Sequence, residues 1–238
     1  MTVLASVGPP FASAVREIRI ATLQRMGRLA DAVTESQAAI TLPDAGLLDY
    51  VRLGDAHARL KQFTDAANAY HEAIKRAGDD PPWNLWLLYG GALDQAGDWA
   101  KAKPALERAV ASAADQPASL NHLGYAMLEH GENLIEATRL IAKASSLRPD
   151  DAAITDSLGW VFYLRGQPEQ SIPLLERAVA ADPTEAALGE HLGDAYWAAG
   201  RRVDARYAWR AALIQADEAE ITRRIESKIA DGPRPRAK

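Results

Sequence analysis

Cysteine is absent from the 238 residues. That excludes a disulfide framework, a thiolate zinc site and a thiol nucleophile. No apolar run approaches the roughly 18 residues that cross a bilayer. The opening stretch MTVLASVGPPFASA has no basic segment and is broken by Pro9 and Pro10, so it does not read as an export signal. A basic excess is missing too: 27 Lys and Arg stand against 32 Asp and Glu, a net charge of -5. A general nucleic-acid binder has the opposite balance. There is no phosphate-binding glycine loop, no dinucleotide fingerprint, no nucleophile elbow and no H-E-x-x-H. The histidines at 57, 71, 122, 130 and 191 form no spaced ligand set. Glu190 and Asp194, one helical turn apart, are too few for a hard cation. The expectation is therefore a non-enzyme with no metal and no cofactor. With 48% hydrophobic and 25% charged residues, the chain has the composition of a folded protein.

What is present is a repeat, the feature that decides a fold when it occurs. The pairs Leu53-Gly54, Tyr89-Gly90, Leu123-Gly124, Leu158-Gly159 and Leu192-Gly193 place glycines 36, 34, 35 and 34 residues apart. Twelve residues after the glycine comes a small residue, Ala66, Ala102, Ser171 or Ala205, and thirteen after in the third unit, at Ala137. The extra residue there falls around Glu132 and Asn133. Seven residues further stands another alanine: Ala73, Ala109, Ala144, Ala178 and Ala212. Apolar residues recur at helical spacing on both sides of Gly97, Gly131, Gly166 and Gly200, so each unit reads as two helices joined by a glycine turn. Pro149 and Pro183 end the second helix of their units. The small residues mark crossings too close for a large side chain.

These positions resemble the tetratricopeptide repeat. The stretch DSLGWVFYLRGQPEQSIPLLERAVAADP, Asp156 to Pro183, carries the pattern, and HLGDAYWAAGRRVDARYAWRAAL, His191 to Leu213, carries it again. Five units match. A degenerate unit precedes them, with Gly27, Leu29, Ala32 and Ala39 in place but Ile20 where the glycine belongs. The resemblance implies an all-α, right-handed superhelical solenoid of about six helix-turn-helix units. The expected units are 13–46, 47–82, 83–116, 117–151, 152–185 and 186–219, after an N-terminal extension at 1–12. Beyond them, Ile221, Ile225 and Ile229 at i, i+4 and i+8 mark an amphipathic capping helix over 218–231, as a solenoid needs over its last apolar face. A disordered tail is expected at 232–238. The chain also looks like the C-terminal array of longer bacterial envelope-associated scaffold proteins of this family, so it is expected to be a shortened form of one. As written it is expected in the cytoplasm, and in the periplasm or envelope if it belongs to a longer exported protein.

The family lines its concave groove with the first helix of each pair. Mapped here, its fifth, ninth and twelfth positions give Asn121, Tyr125 and Leu128, then Asp156, Trp160 and Tyr163, then Glu190, Asp194 and Trp197; earlier units add Asp55, Leu87 and Asp94. Within each helix these fall on one face. The residues are acids and aromatics, with no lysine or arginine. The basic clamp by which co-chaperones of the family hold a peptide carboxylate is missing, Asn121 alone being of the right kind. A partner segment with apolar side chains and some basic groups fits better. Tyr125, Trp160, Tyr163 and Trp197 are the expected anchors, with Asp156, Glu190 and Asp194 reading basic groups. Trp86, Trp99 and Trp209 fall at consensus core positions, whereas Trp160 and Trp197 read equally as anchors or as packing between repeats. Arg202, Arg206 and Arg210, at i, i+4 and i+8, form a possible secondary basic face for an acidic partner or lipid headgroups; a plain solvated helix face accounts for them as well.

The expected function is a protein-binding module or scaffold. Two alternatives stand beside it: self-association through the first repeat, whose Ile18, Ile20 and Leu23 have no polar cap, and a non-catalytic subunit of an enzyme complex.

Overall fold

The computed structural model describes residues 9–233. Among them there are thirteen α-helices and no strand. Two compact units divide at Ala114/Asp115, between the third and fourth expected repeats.

The first unit holds three helix pairs: α1 (Pro9–Arg25) with α2 (Leu29–Ala39), α3 (Leu47–Arg59) with α4 (Phe63–Ala77), and α5 (Trp83–Gln95) with α6 (Trp99–Ser112). α1 starts inside the expected extension, because Pro9 and Pro10 tolerate a first turn whose N–H groups have no intrahelical partner anyway. The rest of that extension, 1–8, lies outside the described residues. Ile20 packs with Ala32 and Ala56, while Ile18 is 65% exposed. Trp86 and Trp99 are half-buried against the core formed around Tyr70, Leu85 and Leu93. Asp49, 4% exposed, accepts the Gly46 N–H at 2.9 Å and pairs with Arg52 at 3.2 Å; Arg52 reaches on to Glu17 at 2.7 Å.

The second unit holds α7 (Pro117–Glu129) with α8 (Leu134–Leu147), α9 (Ala152–Leu164) with α10 (Pro168–Ala181), α11 (Ala186–Ala198) with α12 (Arg202–Gln215), and then α13 (Ala219–Asp231). The residue inserted in the fourth pair serves as a cap: Asn133 accepts the Glu136 N–H at 3.2 Å. Ile225 is fully buried, and Ile221 and Ile229 pack beside it against Ala205, Trp209 and Ala212. Of the expected tail, Gly232 and Pro233 are described and 234–238 lie outside the described residues.

The repeated glycines are a packing device. A Cβ on Gly54, Gly90, Gly124, Gly159 or Gly193 would run into Tyr70, Leu106, Ile141, Leu175 or Trp209, each on the second helix of the same pair. Those large residues are at most 2% exposed. Ala66, Ala102, Ala137, Ser171 and Ala205 are all at 0% and hold the same crossings close. Ser171 is tolerated there because its hydroxyl donates to the Gly159 carbonyl at 2.8 Å. In the first pair the sizes are exchanged: Ile20 stands in the glycine position, and Ser36, in the position of Tyr70 and Trp209, is small and fully buried.

Five of the turns within pairs place glycine in the left-handed region, with φ between 66° and 80° at Gly27, Gly97, Gly131, Gly166 and Gly200; the sixth puts Lys61 there, at φ 57°. A side chain in that region costs about 1–2 kcal/mol, and glycine gives back part of this through its freer unfolded chain. Lys61→Gly should therefore stabilise by about 0.5–1 kcal/mol. Urea unfolding checks this, and a loss of stability would contradict it.

Candidate partner-binding groove

Pairing large with glycine keeps α7, α9 and α11 close to their partner helices and turns their opposite faces to a common side of the second unit. The fifth positions there are Asn121, Asp156 and Glu190, and the ninth are Tyr125, Trp160 and Asp194. α13 continues both rows: Arg224 pairs with Glu190 and Lys228 with Asp194, each across 34 residues, the length of one repeat. The capping helix thus stands as the first helix of a further unit, and it brings into the groove the basic residues that the six expected units lack.

The acids are consequently engaged within the chain. Glu190 takes a bidentate bond from Arg224 at 2.8 and 2.7 Å, and Lys228 sits 2.6 Å from both Glu190 and Asp194. Glu190 is 4% exposed and Asp194 5%. Burial disfavours the charge on Glu190, but Arg224 and Lys228 outweigh it and hold its carboxyl at about 2. Burial pushes Asp194 up, with the neighbouring Glu190 charge adding and Lys228 countering only in part. Asp156, also buried, accepts from or pairs with His191 Nδ1 at 2.8 Å. The expectation that these three acids stand open to a partner's cations is therefore revised: buried carboxylates require compensation, and α11 and α13 supply it.

The aromatic positions divide. Trp160 is 2% exposed, with Tyr163 stacked on it at 4.5 Å and His191 at 4.0 Å, and its Nε1 donates to Glu129 at 3.2 Å. It is a packing residue between repeats rather than an open anchor. Trp197 is half-buried against Trp209 at 5.4 Å, with the Arg202 guanidinium 3.8 Å above its ring and Gly232 against its edge. Leu128 belongs to the core. Asn121 is half-buried, with its Oδ1 buried and unpaired, and lies outside the cavity. Tyr125 and Tyr163 are half-exposed and line a cavity of about 710 Å³ together with the edge of Trp160, His191 and the α13 side chains. Glu129, Glu220 and Arg223, all exposed, also line it.

The secondary basic face is also used internally. Arg202 covers Trp197, and Arg206 donates to the Ile229 carbonyl at 3.1 Å near the C-terminus of α13, where a cation is favoured. Arg202 and Arg210 are both exposed, Arg206 is half-buried, and Arg210 lies beside Val203, Tyr207 and Ile214. In the first unit, Asp55 accepts from Tyr70 Oη at 2.7 Å, which removes it from the groove set, while Leu87 and Asp94 are half-buried. Sequence reasoning missed His191, Arg224 and Lys228. The signal was available for the last two, since they fall one repeat length after Glu190 and Asp194.

No helix among the described residues is long and apolar enough to cross a membrane. The family model for the tetratricopeptide repeat matches at 51–117, 92–152, 134–186 and 157–221. A TPR repeat-containing protein of Pseudomonas aeruginosa is 30% identical over 175 residues, 72% of this chain. The chain spans only 29% of that relative's length. Among solved structures, the APC/C hetero-tetramer Cut9–Hcn1 superposes with a TM-score of 0.75 at 17% identity, over 89% of this chain and 41% of that one. A TPR protein of Thermus thermophilus superposes with a TM-score of 0.68 at 20% identity, over 78% of this chain and all of that one. The fold is an all-α helical-repeat solenoid, and with more than half of its length under the family model the chain belongs to the tetratricopeptide repeat family.

Proposed function

We propose that the second unit binds a segment of a partner protein in its groove. The family is one of interaction scaffolds, and the structural neighbour Cut9–Hcn1 is itself an assembly of different proteins. The observation that carries the reading is the 710 Å³ cavity with two half-exposed tyrosines on one wall. Tyrosine supplies wide apolar area, a polar tip and few rotors, which suits an anchor. Because Glu190 and Asp194 are neutralised by α13, a partner's basic group would meet Glu220, and its apolar side chains would meet Tyr125 and Tyr163.

Affinity capture from lysate of the source cell, with bound proteins identified by mass spectrometry, tests this. The comparison is between the unaltered chain and a Tyr125→Ala, Tyr163→Ala variant of equal helicity. Loss of a captured protein is expected, followed by an affinity drop of at least about thirty-fold in direct titration, the equivalent of roughly 2 kcal/mol. Equal capture by both would move the site off the groove. A second reading, self-association through the first repeat, is favoured by the 65% exposure of Ile18; a concentration-dependent mass abolished by Ile18→Asp would support it.

A further inference from the structure

The joint between α9 and α11 behind the cavity wall has a property that ion pairs of fixed charge do not. His191 bonds Asp156 at 2.8 Å through Nδ1 and stacks on the Trp160 indole at 4.0 Å, with the Tyr125 ring at 6.4 Å. The His191 and Asp156 side chains are only 13% and 7% exposed, and the second Asp156 oxygen is buried with no hydrogen-bond partner. One interaction thus carries nearly all the compensation for a buried carboxylate, and its donor is the side chain that changes charge near neutrality. We infer that the Asp156–His191 pair is a pH-responsive joint that tightens the aromatic wall of the groove when His191 is protonated and loosens it when His191 is neutral. What it regulates rests on the groove reading above; the joint itself does not.

The surrounding charges favour the protonated form. Burial works against the imidazolium, but Asp156 from α9, and Asp194 and Glu190 from α11 itself, outweigh it and hold His191 above the ordinary imidazole range. From α13, Arg224 and Lys228 face the same two acids and are spent on them. α7 contributes Tyr125 and, at the Trp160 indole, Glu129. Charged groups of α10 and α12 are engaged elsewhere: Glu176 with Tyr196, Arg177 with the Pro149 carbonyl, Arg202 with Trp197, Asp204 with Arg201 and Arg206 with the Ile229 carbonyl. Protonated, His191 pairs with the carboxylate and also presents a cation to the indole face, an arrangement that strengthens when desolvated. Neutral, it keeps one hydrogen bond and leaves Asp156 as a buried charge with no counter-charge. A group whose pKa is raised on folding contributes its stabilisation fully below its unfolded value, about 6.5 for histidine, and that contribution is lost as pH rises through the higher folded value. The wall is therefore firmest in mildly acidic solution and loosens above neutrality.

The test uses the full chain and needs no partner. The His191 ring resonance, assigned by its loss in His191→Gln, is followed by NMR against pH, beside the Tyr163 ring resonances and the Trp160 emission obtained by difference from Trp160→Phe. The expected result is a His191 midpoint above 6.5 that falls in Asp156→Asn, with Tyr163 and Trp160 moving at the same midpoint in the unaltered chain and neither moving in His191→Gln. A midpoint at or below 6.5, or Tyr163 and Trp160 signals that ignore it, would overturn the joint. Failure of the tyrosine variant to lose a captured protein would overturn the groove reading alone.

Discussion

Trp209→Ala should cost the second unit about 3–5 kcal/mol, the range for truncating a fully buried large aromatic. Trp209 is at 0% exposure and covers Gly193 so closely that no Cβ fits there. Its Nε1 donates to Asp194 Oδ1 at 3.0 Å and to the Glu190 carbonyl at 3.2 Å. The substitution therefore opens a cavity under α11, removes a donor from a buried carboxylate and strips the surface on which Ile225 docks. Urea unfolding should show a lower midpoint, and amide exchange should place the fastest new opening in α11 to α13. Trp209→Phe separates the contributions: it keeps most of the packing and loses the N–H, at about 1–2 kcal/mol. An alanine variant within 1 kcal/mol of the unaltered chain would mean that Gly193 and Trp209 do not meet.

The same contact shows what was legible beforehand. The spacing of Gly54, Gly90, Gly124, Gly159 and Gly193 gives the helix pairs directly, because a backbone crossing that excludes Cβ leaves a residue type that recurs at the repeat length. The compensating exchange at Ile20 and Ser36 was half-visible, as an anomaly in the glycine column. The groove was harder. Its residues were located, since the face of a helix follows from register, but their condition was not. Glu190 and Asp194 look solvated until the position one repeat later is inspected, where Arg224 and Lys228 wait in a helix that reads, from its isoleucines, as a simple cap. Trp160 and Trp197 occupy positions that face the groove in the family, and what covers them, His191 and Gly232, comes from elsewhere in the chain. The His191–Asp156 pairing, 35 residues apart, joins two different register positions, and the turn of the chain after α13 has no periodic signature.

Lys228→Met should be nearly as damaging as the loss of Trp209, for an electrostatic reason. The Lys228 side chain is 15% exposed and lies between two carboxylates whose side chains are 5% and 6% exposed. Methionine keeps the length and the apolar stem but leaves Glu190 to Arg224 alone and Asp194 without a cation. Removing one partner from a buried ion network typically costs about 3–5 kcal/mol. The pH dependence identifies the cause. In the unaltered chain Glu190, held at about 2, contributes stability that is present above the ordinary carboxylate range and is lost as the pH falls towards 2. In Lys228→Met the two carboxylates repel and resist ionisation, so stability should rise more steeply than in the unaltered chain as the pH is lowered from 7 towards 5. Neutralising the acids as well, in Glu190→Gln, Asp194→Asn, Lys228→Met, removes the uncompensated charge and should recover most of the loss, to within about 1–2 kcal/mol of the starting protein. A triple variant no better than Lys228→Met would assign the damage to packing around the lysine stem. Recovery would establish that the network's value lies in compensation: the acids set the groove's shape only because the last helix returns two cations at one repeat's distance.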